Sequence, residues 1–212
     1  MGDTLITVPA RILAPPQIAY KDTKRLVTPR FGGWNMNEVK FSRSGSVSNW
    51  TYICLKQEKT ASDAPEPEDK WSGPLVQSFV NFMIGMGMSF TPRMNLPTSG
   101  PSNNLPRLKD IFGRMKERGV RWVLIILPAS DARLYKLIKS QCDVAHGLHS
   151  VCVVRNKFDA ADLQYFANVA LKFNLKAGGI NHVVQPAKLG IISTGKTMVG
   201  KLHSSFAMGI SN

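Results

Sequence analysis

Apolar residues follow two rhythms along this chain. From Asn49, the run Asn-Trp-Thr-Tyr-Ile-Cys-Leu-Lys alternates and is rich in β-formers, which predicts the first clear strand. Val123-Leu-Ile-Ile-Leu127 and His149-Ser-Val-Cys-Val-Val154 are short apolar runs of the kind that a strand buried on both faces needs. Elsewhere the spacing is helical. Apolar groups recur at helical intervals over 75–88, where Gly85 and Gly87 weaken the end, and 107–118 reads as a basic amphipathic helix stopped by Gly119. Pro128 and Ser130 end one strand and start a helix over 131–141. Asp159 opens a long helix over 160–174 that runs out at Lys176-Ala-Gly178-Gly179, and Gly190-Ile-Ile-Ser193 predicts a last short strand. This alternation, with apolar strands, predicts an α/β fold: a Rossmann-like parallel sheet flanked by helices on both faces.

The remaining segments read as connections. Residues 1–30 hold four prolines (Pro9, Pro15, Pro16, Pro29) and predict a linker or edge strand outside the core, leaving one domain over 31–198. Residues 58–70 carry five acids and two prolines with no large apolar side chain, the composition of a mobile surface loop. The stretch 92–106, rich in Pro, Asn, Ser and Gly, predicts a loop, and 199–212 a tail. Charge then narrows the function. Lys+Arg number 27 against Asp+Glu 14 in 212 residues, a formal +13, and the excess sits after residue 100. So large an excess makes a polyanion the first partner to expect. No apolar run approaches the roughly 18 residues of a membrane span, and the first residues lack a secretory leader's apolar stretch, so no membrane partner is expected. Three widely spaced cysteines fit a reducing, cytoplasmic setting better than a disulfide framework.

Two helices carry groups suited to a phosphate. Tyr135 and Lys139 are four apart on one, and Asn168, Lys172 and Lys176 recur every four residues on the other, so each set shares a face. Lysine neutralises a dianion as a point charge, and a tyrosine ring offers a base a surface to stack on. In a doubly wound sheet such groups are expected beyond the carboxyl ends of the strands. The same spacings also describe solvated helix faces, so pattern alone leaves both readings open. Gly190–Thr197 fits the literal P-loop pattern, but its loop positions hold Ile191 and Ile192, and too few residues follow for the rest of an NTPase. Cys142, His146, His149 and Cys152 have spacings that zinc could use, yet Cys152 sits within an apolar strand, where a small core side chain is expected. No metal, cofactor or catalytic constellation is expected, and Asp131 reads as a charge favourable to a helix start.

Lys172-Phe-Asn-Leu-Lys176-Ala-Gly178-Gly179-Ile180-Asn181, taken with Tyr135-x3-Lys139, resembles the MID domain of eukaryotic Argonaute proteins, of a fungal kind. Gly33-Trp34-Asn35-Met36 with Lys40-Phe41 resembles the start of that module, and residues 8–20 the linker reaching it from the PAZ side. The resemblance covers most of the chain up to Ile192. It implies a domain that anchors the 5′-monophosphate end of a small guide RNA, working beside PIWI and PAZ domains in RNA silencing. It implies that Tyr135 stacks on the first base and that Lys139, Lys172, Lys176 and Asn168 line the phosphate pocket. The backbone amide of Cys152 joins them, and Ala129, Ser130, Asp131, Ala132 and Arg133 form the loop that reads the first base. The chain departs from the family where a phosphate-binding glutamine is common: Val151 stands there, with His149 and Ser150 as candidate replacements. The segment after Met198 carries no acid where the first catalytic aspartate of PIWI would follow, so no cleavage is expected from this chain. A sulfate or phosphate ion is the expected occupant of the empty pocket in crystals. A P-loop enzyme using Gly190–Thr197 and a basic protein–protein module remain as other readings.

Overall fold

The structure is a computed structural model that describes residues 15–21, 26–31, 33–36, 38–56, 69–96, 99–101, 104–160, 162–185 and 189–196. In chain order the elements are β1 (Ile18–Ala19), β2 (Ser46–Val47), β3 (Trp50–Lys56), α1 (Asp69–Gly85), β4 (Ser89–Phe90), β5 (Ser99–Pro101), α2 (Leu105–Glu117) and β6 (Trp122–Leu127). Then follow α3 (Ala132–Lys139), a π-helical turn (Ser140–His146), β7 (His149–Val154), α4 (Arg155–Asp159), α5 (Leu163–Lys176), β8 (Val183–Val184) and a 3-10 turn (Gly190–Thr194). The central sheet is parallel, in the order β5-β3-β6-β7, so among the described residues β7 has one free edge.

The two faces of this sheet explain why the middle strands are apolar throughout. Trp50, Tyr52 and Cys54 of β3, with Trp122, Leu124 and Ile126 of β6, pack against α1 and α5 in one cluster. The alternate residues, Ile53 and Leu55 with Val123, Ile125 and Leu127, pack against α2 and α3 in the other. Period-two side chains thus feed two cores, and helices cover both faces as the α/β reading requires. On the α1/α5 side, Phe79 is fully buried, with Phe158, Phe166 and Phe173 edge-on around it at 5.0–5.9 Å between centroids.

Several boundaries differ from expectation. The N-terminal segment is no mere linker: Ile18, Ala19 and Tyr20 are buried, β1 pairs with β8, and Ile18 and Tyr20 pack with Met36 and Ala167. Its prolines masked an apolar anchor only three residues long. Within 92–106, Ser99–Pro101 forms the edge strand β5 beside Cys54–Lys56. A Cβ on Gly100 would stand 2.9 Å from Ile53, so the glycine that argues against a strand is what admits this one. Helix α2 begins at Leu105, with the Asn104 side chain accepting from the Arg107 amide. Asp159 closes the short α4 instead of opening the long helix. Asp162 caps α5 by accepting from the Gln164 amide. Gly190–Ser193 is not a strand but part of the 3-10 turn, its Ile192 partly exposed and without a sheet neighbour among the described residues. Asp69 and Lys70 belong to α1, while 57–68, the body of the acidic loop, lie outside the described residues, as does the tail 199–212.

Candidate nucleic-acid interface

The candidate site is built on the free edge of β7. The Asp131 side chain accepts from the amides of Arg133 and Leu134 at 2.8 and 3.0 Å, which starts α3. That helix buries Leu134 and Ile138, leaves Tyr135 exposed and turns the partly buried Lys139 toward β7. From Lys139 Nζ, hydrogen bonds go to the Ser150 carbonyl and to Ser150 Oγ, both at 2.7 Å. Lys176, at the end of α5, donates to the same Ser150 carbonyl at 3.0 Å. Two ammonium groups from different helices therefore meet on one edge carbonyl. Each ammonium has three N–H groups, so this arrangement leaves donors over for an anion.

Strand parity extends the site. Odd residues of β7 bond inward to β6, as the His149 amide does to Arg121, so the backbone groups of Ser150, Cys152 and Val154 face the free edge. The Cys152 amide accordingly lies on the same side as the lysine-bound carbonyl. Its thiol, pushed up to about 11 by burial, feels Lys139, Asp143, Lys176 and Lys172, which places all four charges in one locality. The nearby Cys142 thiol is pushed up to about 12, also mainly by burial. Lys176 is held below the usual lysine range by burial and by Lys139. His149 is likewise lowered, by burial first and then by Lys176 and Arg121. Its imidazole lies on Trp122 at 4.4 Å between centroids. Lys139 Nζ stands 5.8 Å from the ring centre of Tyr135, which is about half exposed.

Not every expected group joins this cluster. Lys139, Lys176, Ser150 and the Cys152 backbone converge, and Lys172 is near enough to act on the Cys152 thiol. Asn168 is exposed on α5 eight residues before Lys176, about 12 Å along the helix axis. The segment Ala129–Arg133 is exposed and contains the α3 cap. The site does not lie beyond the carboxyl ends of the strands. Helices antiparallel to the sheet carry Lys139 and Lys176, near their C-termini, back to the amino-terminal half of β7. Asp143, which sequence reasoning passed over, accepts from Ser150 Oγ at 3.0 Å and lies 3.7 Å from Lys139. Its position four residues after Lys139 was the available signal. The zinc reading fails on geometry: His149 and Cys152 differ in parity, so they face opposite sides of β7. Among the described residues no three His, Cys, Asp or Glu side chains form a metal-holding group. The P-loop pattern falls on a 3-10 turn with Lys196 exposed, and Thr197 lies outside the described residues.

A family model described as "Piwi domain" matches residues 122–208, a stretch that begins at β6 and holds the whole cluster. Protein argonaute MEL1 of Oryza sativa subsp. japonica is 34% identical over 194 residues, 86% of this chain and 17% of that protein. Over most of its length the chain is similar to Argonaute proteins. The crystal structure of the Arabidopsis thaliana AGO5 MID domain shares the fold at TM-score 0.55 and 23% identity, covering 69% of this chain and 99% of that one. Kluyveromyces polysporus Argonaute with a guide RNA matches at TM-score 0.64 and 20% identity, over 82% of this chain and 21% of that one. These likenesses span Oryza, Arabidopsis and Kluyveromyces proteins and single out no one lineage. The chain spans less than a fifth of the length of the curated Argonaute relatives it matches. No helix among the described residues is long and apolar enough to cross a membrane.

Proposed function

We propose that this chain acts as an Argonaute MID domain over 31–198, anchoring the 5′-monophosphorylated terminal nucleotide of a small guide RNA without itself cleaving RNA. The reading rests on one observation above all: Lys139 and Lys176, 37 positions apart, converge on the Ser150 carbonyl. Lys139, Lys172 and Lys176 neutralise the phosphate, and the edge amide of Cys152 donates to it. Tyr135 supplies a half-exposed ring for the first base, a contact worth about 1–3 kcal/mol in single-strand recognition. Terminal recognition of this kind reads a charged end and a stacked base, not a duplex groove. The structure with a guide RNA among the fold matches supports the class of ligand. In this reading Ala129–Arg133, exposed at the start of α3, reads the first base, while Asn168, which stands apart from the lysine cluster, is left without a direct contact to the phosphate. In the longer protein, PIWI and PAZ domains would hold the rest of the guide for cytoplasmic silencing.

Ser150 is a poor stand-in for the family's glutamine, because its hydroxyl proton goes to Asp143 and its oxygens are taken by lysine. His149 shares the parity of Val151 and lies beside Lys176, so it takes that role. Calorimetric titration with uridine 5′-monophosphate and with uridine tests the reading. Binding of the monophosphate alone is expected, with Lys139→Ala and Lys176→Ala each weakening it at least tenfold. Equal binding of nucleoside and nucleotide, or loss of binding only in Lys196→Ala, would reject it.

A further inference from the structure

The lysine cluster carries its own anion. Ser150 Oγ accepts from Lys139 Nζ and donates to Asp143 Oδ1, and Asp143 Oδ2 lies 3.7 Å from the same ammonium. Asp143 sits on the π-helical turn Ser140–His146, which continues α3 after Lys139 and keeps the carboxylate on the pocket side through the Ser150 bond. Wide turns of this type often accompany functional sites. The ammonium groups of Lys139 and Lys176 meet on the Ser150 carbonyl with this one carboxylate among them, and Lys172 acts on the same locality, so positive charge outweighs the single negative.

We infer that Asp143 is a specificity-determining residue, a resident counter-charge that matches the pocket to the two negative charges of a terminal monophosphate and disfavours more highly charged ends. The inference rests on the anchoring reading given above. A 5′-monophosphate carries close to two charges at neutral pH, whereas a 5′-triphosphate brings further charge toward the same carboxylate. Removing a unit charge a few ångströms from the ligand should lower the cost of that extra charge. Asp143 also orders Ser150 Oγ as an acceptor for Lys139, so the informative quantity is a selectivity ratio and not an affinity.

The experiment measures dissociation constants of UMP and UTP for the 212-residue chain at pH 7.5 and fixed ionic strength, without divalent ions, and repeats them with AMP and ATP. Asp143→Asn keeps an oxygen to accept from Ser150 and removes the charge. It is expected to shift the UTP-to-UMP affinity ratio about tenfold toward UTP. Asp143→Glu keeps the charge and should retain the wild-type ratio, which separates charge from packing. An unchanged ratio in Asp143→Asn, with UMP binding intact, overturns the role of Asp143 alone. So does an equal shift in Asp143→Glu, which would make the effect one of shape. Failure of the wild-type chain to bind UMP overturns the anchoring reading and this inference with it.

Discussion

His149 combines three circumstances that make it a reporter of the pocket. It lies on Trp122, it is exposed enough to be reached, and burial together with Lys176 and Arg121 holds it below the usual histidine range. An anion placed beside Lys176 favours the imidazolium, so phosphate or UMP should raise the His149 pKa. Titration followed by NMR checks this, and an upward shift of about one unit is expected, with no such shift in Lys176→Ala. Val151 offers the contrast. It is buried in the α1/α5 core, and a side chain without a donor contributes only packing there.

At the level of elements, the C-terminal end of α5 is the most constrained junction near the site. Asn174, fully buried, accepts from the Gly45 amide at 2.8 Å and donates to the Arg43 carbonyl and to Asn181 Oδ1. Gly178 adopts φ +76° and sends its carbonyl to Arg43 Nη2, closing the helix in a left-handed cap. A Cβ on Gly179 would collide with the Asn174 amide. Gly179→Ala should therefore cost roughly 1–3 kcal/mol through overpacking, seen as a lower midpoint in thermal unfolding. Because Lys176 stands just before this cap, UMP affinity should fall in the same variant. Asp162→Ala removes the cap at the other end of α5, where the lysines are far away. About 1 kcal/mol of stability should be lost there, with UMP affinity unchanged.

Across the whole molecule, stability comes from the two cores flanking the sheet. Phe79 lies at the centre of the α1/α5 core, and Phe79→Ala should cost about 3–5 kcal/mol in urea unfolding. The pH dependence comes from a different source. His149 and His182 are both held below the ordinary histidine pKa, chiefly by burial, so on acidification the unfolded chain takes up protons first. Stability should decline as pH falls below about 6.5 and level off once both histidines are protonated in the folded state. Urea unfolding at pH 7.5 and pH 5.5 measures the loss. Added phosphate should reduce it through His149 alone, since His182 packs by Tyr20 and Trp34, away from the lysines.

Much of this molecule is legible in the order of its residues. Apolar runs bounded by turn residues locate β3, β6 and β7, because periodicity is a local property that burial imprints on sequence, whereas the helical spacing of lysines around Tyr135 and Lys172 leaves a phosphate site and a solvated face equally open. The string from Lys172 to Asn181 also carries the family resemblance. Three kinds of feature are decided only by the tertiary structure. Short segments such as Ile18–Ala19 and Ser99–Pro101 become strands through pairing with distant partners, which no local propensity records. The apolar Gly190–Ser193 becomes a 3-10 turn for want of such a partner among the described residues. Above all, the meeting of Lys139, Asp143 and Lys176 on Ser150 depends on two helices running back along one free sheet edge. Spacing along a helix places groups on a common face, but only the packing of one helix against another decides whether two faces look into the same hollow.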